Sequence, residues 1–279
     1  MERFAAAFTL SIALPVSAAH EVDFRLAGKH LVIVPVLVEG QGPYEFLLDT
    51  GSTISVVDRE LARALGLTPL QHTVMRTASG TERAPIARLN RLQVGSQSTE
   101  TVLVLCSELS SLRSLDAGIR GILGFNFLSR FRYLLDYKAK RLLFEPGQVE
   151  GARVPFDGRA RSIVLTVDGL RLLLDTGASG LFLFDREGLD IEPDRRGVRR
   201  LTTSTGRRIA ESGWIASLDI GGESFRRVPV TLVTQTGLEA RADGLLPGTL
   251  FDAIYFDHGT NVVVLNPVLP REVALPMLP

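Results

Sequence analysis

Apolar positions along this chain gather in short runs cut by glycine, proline and aspartate, a pattern that predicts strands and turns with few helices. Residues 31–38 and 44–48 flank Glu39-Gly40-Gln41-Gly42-Pro43, and residues 162–167 and 170–174 flank Asp168-Gly169. Two hairpins are predicted, the second with the tighter turn. The second strand of each runs into an acid: Phe46-Leu47-Leu48 precedes Asp49, and Leu172-Leu173-Leu174 precedes Asp175. A lone carboxylate at the end of a buried strand is costly to ionise, so both placements call for a purpose. Residues 57–66 predict a short helix with Asp58 as N-cap and Gly66 as terminator, and 185–188 a shorter counterpart. Further short helices are predicted at 126–131 and 249–253, an inter-lobe linker at 146–158, and a proline-rich tail at 266–279.

The two halves repeat in register. Asp49-Thr50-Gly51 and Asp175-Thr176-Gly177 are followed at the same distances by Ser79-Gly80 and Thr205-Gly206, then by Leu92-Gln93-Val94-Gly95 and Leu218-Asp219-Ile220-Gly221, all offset by 126 residues. β-rich runs follow at 101–105 and 228–233. Gly121-Ile122-Leu123-Gly124 and Gly244-Leu245-Leu246-Pro247 are offset by 123, which shortens one surface loop by three residues. Leu134-Leu135-Asp136-Tyr137 and Tyr255-Phe256-Asp257-His258 come next, each before an apolar strand at 142–144 or 262–265. A period this long predicts two duplicated lobes, residues 20–148 and 149–279, and not a solenoid.

Composition narrows the field. A chain of 279 residues, 45% hydrophobic, can fill two small cores. With 31 basic and 31 acidic residues it has no basic footprint for nucleic acid. His20, His30, His72 and His258 are scattered without metal-ligand spacing, so neither a metal nor a cofactor is expected. The single cysteine, Cys106, excludes an internal disulfide and fits a small buried residue. Met1-Glu2-Arg3, the apolar stretch 4–16 and Val16-Ser17-Ala18-Ala19 have the order of a cleavable signal peptide over residues 1–19. The expected destination is the periplasm or the exterior, with no membrane span after its removal.

On the paired Asp-Thr-Gly tripeptides and their aligned glycine motifs, the chain resembles the aspartic peptidases of the pepsin and retropepsin type, as one chain carrying two retropepsin-like halves. The resemblance implies an all-β, bilobal fold of pepsin-like, double retropepsin-like barrels with pseudo-two-fold symmetry and a few short helices. It implies that Asp49 and Asp175 are the catalytic pair, in loops formed by Thr50, Gly51 and Ser52 and by Thr176, Gly177 and Ala178. Ile122, Leu123 and Gly124, with Leu245 and Leu246, are then the segments threading beneath those loops. Hairpins carrying Ser79 and Gly80, and Thr205 and Gly206, are the flaps. The chain departs from the pattern where Pro247 aligns with Gly124, and neither flap offers the tyrosine of pepsin-like enzymes.

Two carboxyls sharing one water cannot both be ionised, so one serves as base and the other as acid in peptide hydrolysis; this enzyme class is itself the standard example of the effect. The Thr50 and Thr176 hydroxyls can bond across the axis and lock the loops together. Ser52 can donate to Asp49, whereas Ala178 offers Asp175 only a methyl, so Asp175 is expected to hold the shared proton. The implied activity is that of an exported aspartic endopeptidase acting as a monomer on a peptide or extended protein segment. The rival reading is a non-catalytic peptide-binding protein of the periplasm, which Pro247 and the unusual flaps leave open. A third is an envelope assembly module using the lobes as scaffold. Trp214 is expected in the core, Arg207 and Arg208 as solvated tip charges, and Asp136 and Asp257 at strand ends.

Overall fold

Short apolar runs punctuated by turns should pair locally, and they do. A computed structural model of the chain describes residues 20–77, 80–147, 149–158, 161–184, 191–203, 206–233 and 242–268. The predicted signal peptide, the 185–188 helix and nearly all of the tail lie outside the described residues.

The N-terminal half runs β1 (Glu21–Asp23), β2 (Arg25–Ala27), β3 (Leu31–Val38), β4 (Gln41–Leu48), β5 (Val56–Asp58), α1 (Arg59–Ala64), β6 (Pro69–Thr77), β7 (Gly80–Val94) and β8 (Gln97–Ser107). It continues through α2 (Ser110–Arg113), β9 (Ile119–Leu123), α3 (Phe125–Leu128), β10 (Tyr133–Asp136) and β11 (Arg141–Phe144). The second half repeats the succession as β12 (Arg153–Pro155), β13 (Val164–Val167), β14 (Leu170–Asp175), β15 (Leu181–Leu183), β16 (Ile191–Thr203), β17 (Gly206–Ile220) and β18 (Glu223–Leu232). After these come β19 (Gly244–Pro247), a 3-10 turn (Gly248–Leu250), β20 (Ala253–Asp257) and β21 (Val262–Leu265).

Each half builds its own sheet with the same connectivity. The order is β2-β3-β4-β9-β5-β8-β7-β6 in the first, where β3 also pairs with β7, and β13-β14-β19-β15-β18-β17-β16 in the second. In both, the strand that delivers the acid lies parallel to the later glycine-motif strand: Leu48 pairs with Leu123, and Leu174 with Leu246. These central strands are buried at Phe46, Leu47 and Leu48 and at Leu172, Leu173 and Leu174, as uninterrupted apolar runs require. Gly95 and Gly221, predicted by the repeat, open matched two-residue hairpin turns with φ of 54° and 57°, a conformation that glycine adopts without a Cβ penalty.

A third sheet, β1-β11-β10-β20-β21-β12, takes three strands from each half and joins them. At its centre β10 pairs with β20, setting Tyr133 opposite Phe256 with rings stacked 4.5 Å apart. One apolar cluster therefore runs through both lobes, from Val34 to Phe256. The fold is all-β and bilobal, as expected.

Several local expectations shift. Asp58 does cap α1, accepting from the Glu60 amide at 3.1 Å, and its buried carboxylate is also bound by Arg113 at 2.9 Å. The expected linker contains a strand, β12, because Arg153, Val154 and Pro155 have a free partner in β21. The helix expected at 126–131 is a single turn starting one residue earlier, and that at 249–253 is the 3-10 turn. Trp214 lies on β17 with the Arg227 guanidinium 4.5 Å above its ring, half-buried and outside the core.

Tyr137 and His258 follow β10 and β20 at matched positions, and His258 packs edge-on against Phe125 at 5.3 Å and Phe156 at 5.7 Å. Burial among these rings lowers its pKa from 6.5 to about 4, against an opposing pull from Asp257. A histidine depressed in the folded state binds its proton more readily when unfolded, so stability falls as pH drops from about 6.5 to about 4, by at most about 3 kcal/mol. Unfolding free energies measured across that window should decline more steeply in the wild type than in His258→Phe. Parallel curves would contradict the assignment.

Candidate active site

The two acid-bearing strands end side by side at the pseudo-two-fold axis. Each is followed by a tight loop whose first threonine is buried, Thr50 and Thr176 at 1% exposure. Their four bonds cross between halves. The Thr50 hydroxyl donates to the Leu174 carbonyl at 2.7 Å, and the Thr176 hydroxyl donates to the Leu48 carbonyl at 2.8 Å. Each hydroxyl oxygen in turn accepts from the other threonine's amide, both at 3.1 Å. A buried hydroxyl without partners costs about 1–3 kcal/mol, so each threonine is satisfied only when the opposite loop is in place.

This lock brings the carboxyls together. Each carboxyl lies beside the glycine of the opposite tripeptide, close enough for Asp49 to act on the Asp175 charge. The approach is close enough that a methyl on Gly51 would stand 2.7 Å from the Asp175 carboxyl carbon, and one on Gly177 would stand 3.1 Å from that of Asp49. The acid of the other half leaves no room for a side chain at Gly51 and crowds one at Gly177. At Gly51 the contact comes wholly from the other half, whereas at Gly177 the tripeptide's own Asp175 oxygen also stands 3.2 Å away.

The carboxyls differ in their partners. Asp49 accepts from the Gly51 amide at 2.8 Å, the Ser52 amide at 3.1 Å and the Ser52 hydroxyl at 2.9 Å. Asp175 accepts from the Gly177 amide at 2.8 Å, and buried Ala178 brings no hydroxyl. Desolvation, with the adjacent charge of Asp49 second, pushes the Asp175 carboxyl well above the usual carboxylate range. The arrangement can hold one proton on Asp175 beside a hydrogen-bonded Asp49, the pairing that activates a water.

Beneath the loops the halves are supported differently. On the N-terminal side Gly124 lies so close under the loop that a methyl there would stand 2.8 Å from the Ile54 carbonyl carbon and 2.9 Å from the Ser52 oxygen. The Gly124 amide donates to the Ser55 hydroxyl at 3.0 Å, and that hydroxyl donates to Asn126, whose amide reaches the Leu103 carbonyl at 2.8 Å. On the other side Pro247 replaces Gly124 and has no amide hydrogen, while the counterpart of Ser55 is Leu181, which has no acceptor. Donor and acceptor are missing together. Pro247 therefore sits buried in β19 opposite Asp175 with no orphaned group from this exchange.

Ile122, Leu123, Leu245 and Leu246 are buried in the strands under the loops. Gly80 and Gly206 begin the second strands of two long hairpins, where they pair with Thr77 and Thr203; Ser79 and Thr205 lie outside the described residues. Asp136 and Asp257 end their strands and accept from the Ala139 amide and from the Gly259 and Thr260 amides, away from the pair. Ser55 and Asn126 escaped notice in the sequence because neither belongs to the repeated pattern. The Asn directly after Gly124-Phe125 was the available signal.

Comparison with known proteins agrees with this geometry. Residues 34–127 and 164–249 match the aspartyl protease family, one segment in each half. Among solved structures, a retropepsin-like aspartic protease from Rickettsia conorii is similar at 20% sequence identity, over 44% of this chain and 87% of that one, with a TM-score of 0.33. A search of curated proteins finds no match. With the family match covering more than half of the chain and falling once on each repeat, the chain belongs to the aspartyl protease family.

Proposed function

We propose that the protein is an exported endopeptidase that hydrolyses peptide bonds with a water activated between Asp49 and Asp175. The observation that carries this reading is the close approach of the two acid-bearing loops, which sets each carboxyl against the glycine of the opposite tripeptide, with burial raising the Asp175 pKa. Asp49, as carboxylate, takes a proton from the water while its oxygen bonds to the scissile carbonyl carbon. Asp175 gives its proton to the carbonyl oxygen, forming a neutral gem-diol. The C–N bond then breaks as Asp49 returns its proton to the leaving nitrogen and a diol hydroxyl returns one to Asp175. No covalent acyl-enzyme arises.

The family implies a peptide substrate, and an extended segment is the form that lays one scissile bond across the two carboxyls. Both halves are supplied by one chain, which supports action as a monomer. The order of residues 1–19 supports export to the periplasm or the exterior, and among the described residues no helix is long and apolar enough to cross a membrane.

Purified protein should cleave members of a diverse peptide library at acidic to neutral pH, read by mass spectrometry. Asp49→Asn and Asp175→Asn should each lower the rate by about 10²-fold or more with folding retained. Cleavage that survives either substitution would exclude the pair as the reacting groups. The Ser52 hydroxyl stabilises the charged partner, so Ser52→Ala should move the acidic limb of the pH-rate profile upward by about one unit. A limb that stays or moves down assigns the Ser52 hydroxyl to the loop backbone instead.

A further inference from the structure

The two long hairpins match in position but not in charge. Residues 195–210 of β16 and β17 hold Arg195, Arg196, Arg199, Arg200, Arg207 and Arg208 and no acid, whereas the matched residues 69–84 of β6 and β7 hold Arg76, Arg83 and Glu82. In a chain with 31 basic and 31 acidic residues this is a strong local excess. Arg207 and Arg208, expected as tip charges, are strand residues opposite Thr202 and Leu201, and Arg200 and Arg199 follow opposite Ile209 and Ala210. Alternation along the strands therefore places Arg199 and Arg208 on the face of Ala210, with Arg200 and Arg207 on the other. Ala210 belongs to the buried cluster of Ala178 and Leu245, so its face is the one that starts at the Asp175 loop. On the N-terminal hairpin the same two positions are Thr73, opposite Ala84, and Glu82, opposite Met75. Glu82 is engaged within its own half, accepting from the Ser107 hydroxyl at 3.3 Å with Arg59 3.9 Å away. The acids of β16 and β17, namely Glu192, Asp194, Glu211 and Asp219, all lie on the base side of Arg199, so charge is graded along the hairpin. β16 also reaches the other half, lying beside α2, whose only charge, Arg113, is bound by Asp58 and Glu60.

We propose that the C-terminal hairpin selects acidic substrates: extended peptides with Asp or Glu beside the scissile bond, on the side that lies over the C-terminal half, recognised by Arg199 and Arg208. The inference deepens the endopeptidase reading and rests on it. Like charges at diagonal positions of paired strands repel, and a peptide carboxylate laid along that face relieves the repulsion. Guanidinium meets carboxylate through two parallel hydrogen bonds, which gives the pairing direction as well as charge. The N-terminal hairpin holds a threonine and an already engaged glutamate at the matched positions, so the preference belongs to one side of the scissile bond. Charge pairs of this kind govern encounter and selectivity, and salt screens them.

A peptide with an apolar centre flanked by glutamates should be cleaved at low salt with kcat/KM about fivefold or more above its glutamine analogue, and the ratio should shrink toward unity at about 0.5 M salt. Arg199→Gln combined with Arg208→Gln should bring the low-salt ratio close to unity, while Arg199→Lys combined with Arg208→Lys, which keeps the charge, should retain most of it. Binding of the same two peptides to the Asp49→Asn protein, read by fluorescence anisotropy, needs no turnover. A protein that cleaves neither peptide would therefore fail the hydrolysis reading, while a glutamate preference in binding would still bear out this one. Absence of that preference in both measurements, or its survival in the folded double glutamine variant, overturns the proposal. Association with phosphatidylglycerol vesicles without discrimination between the peptides assigns the arginines to a lipid surface and overturns it as well.

Discussion

Everything at the centre of this molecule depends on two threonine hydroxyls that can be satisfied only by each other's loop. Each donates to a carbonyl at the end of the opposite acid-bearing strand and accepts from the opposite amide. Because both residues are buried, any shift between the loops that kept water out would leave six polar groups, joined by these four bonds, without partners. That penalty fixes the axis, and the axis fixes the distance between the carboxyls. The six-stranded sheet below, with Tyr133 stacked on Phe256, supplies the rigid base that makes the arrangement worth holding.

Duplication makes the frame symmetric, while single substitutions make the chemistry asymmetric. Ser52 against Ala178 decides which carboxyl receives a hydroxyl. Ser55 and Asn126 against Leu181 and Pro247 decide which loop is supported by hydrogen bonds and which by apolar packing. Phe125 against Gly248 decides where the Tyr137 phenol can enter. All three differences fall within or under the two loops, and all leave the strand pairing untouched. A pair that must hold one proton gains from unequal environments, because symmetric ones would leave its position undetermined.

Much of this was legible in the residues. Uninterrupted apolar runs before each aspartate specified buried strands, and the constant offset specified two similar lobes; the turn glycines at 95 and 221 lie in matched hairpins. What was not legible comes from contacts across the axis. Gly51 and Gly177 look like ordinary turn residues until the opposite carboxyl is seen beside each. Tyr137 shares its pattern position with a histidine, and only the packing shows what each ring faces. The strand at 153–155 was hidden because its sequence carries no alternation of its own, and its pairing is dictated by the free edge of β21. Pro247 looked like a defect from its chemistry alone, since the matching loss of an acceptor at Leu181 lies 66 residues away in the chain.

Neutron diffraction from deuterium-exchanged crystals, grown at a pH between the two limbs of activity, tests the central claim most directly. A single deuteron on the Asp175 carboxyl, a bare Asp49 carboxylate and deuterated Thr50 and Thr176 hydroxyls pointing at Leu174 and Leu48 are predicted. Deuterons on both carboxyls or on neither, or threonine hydroxyls turned away from the opposite loop, would contradict it.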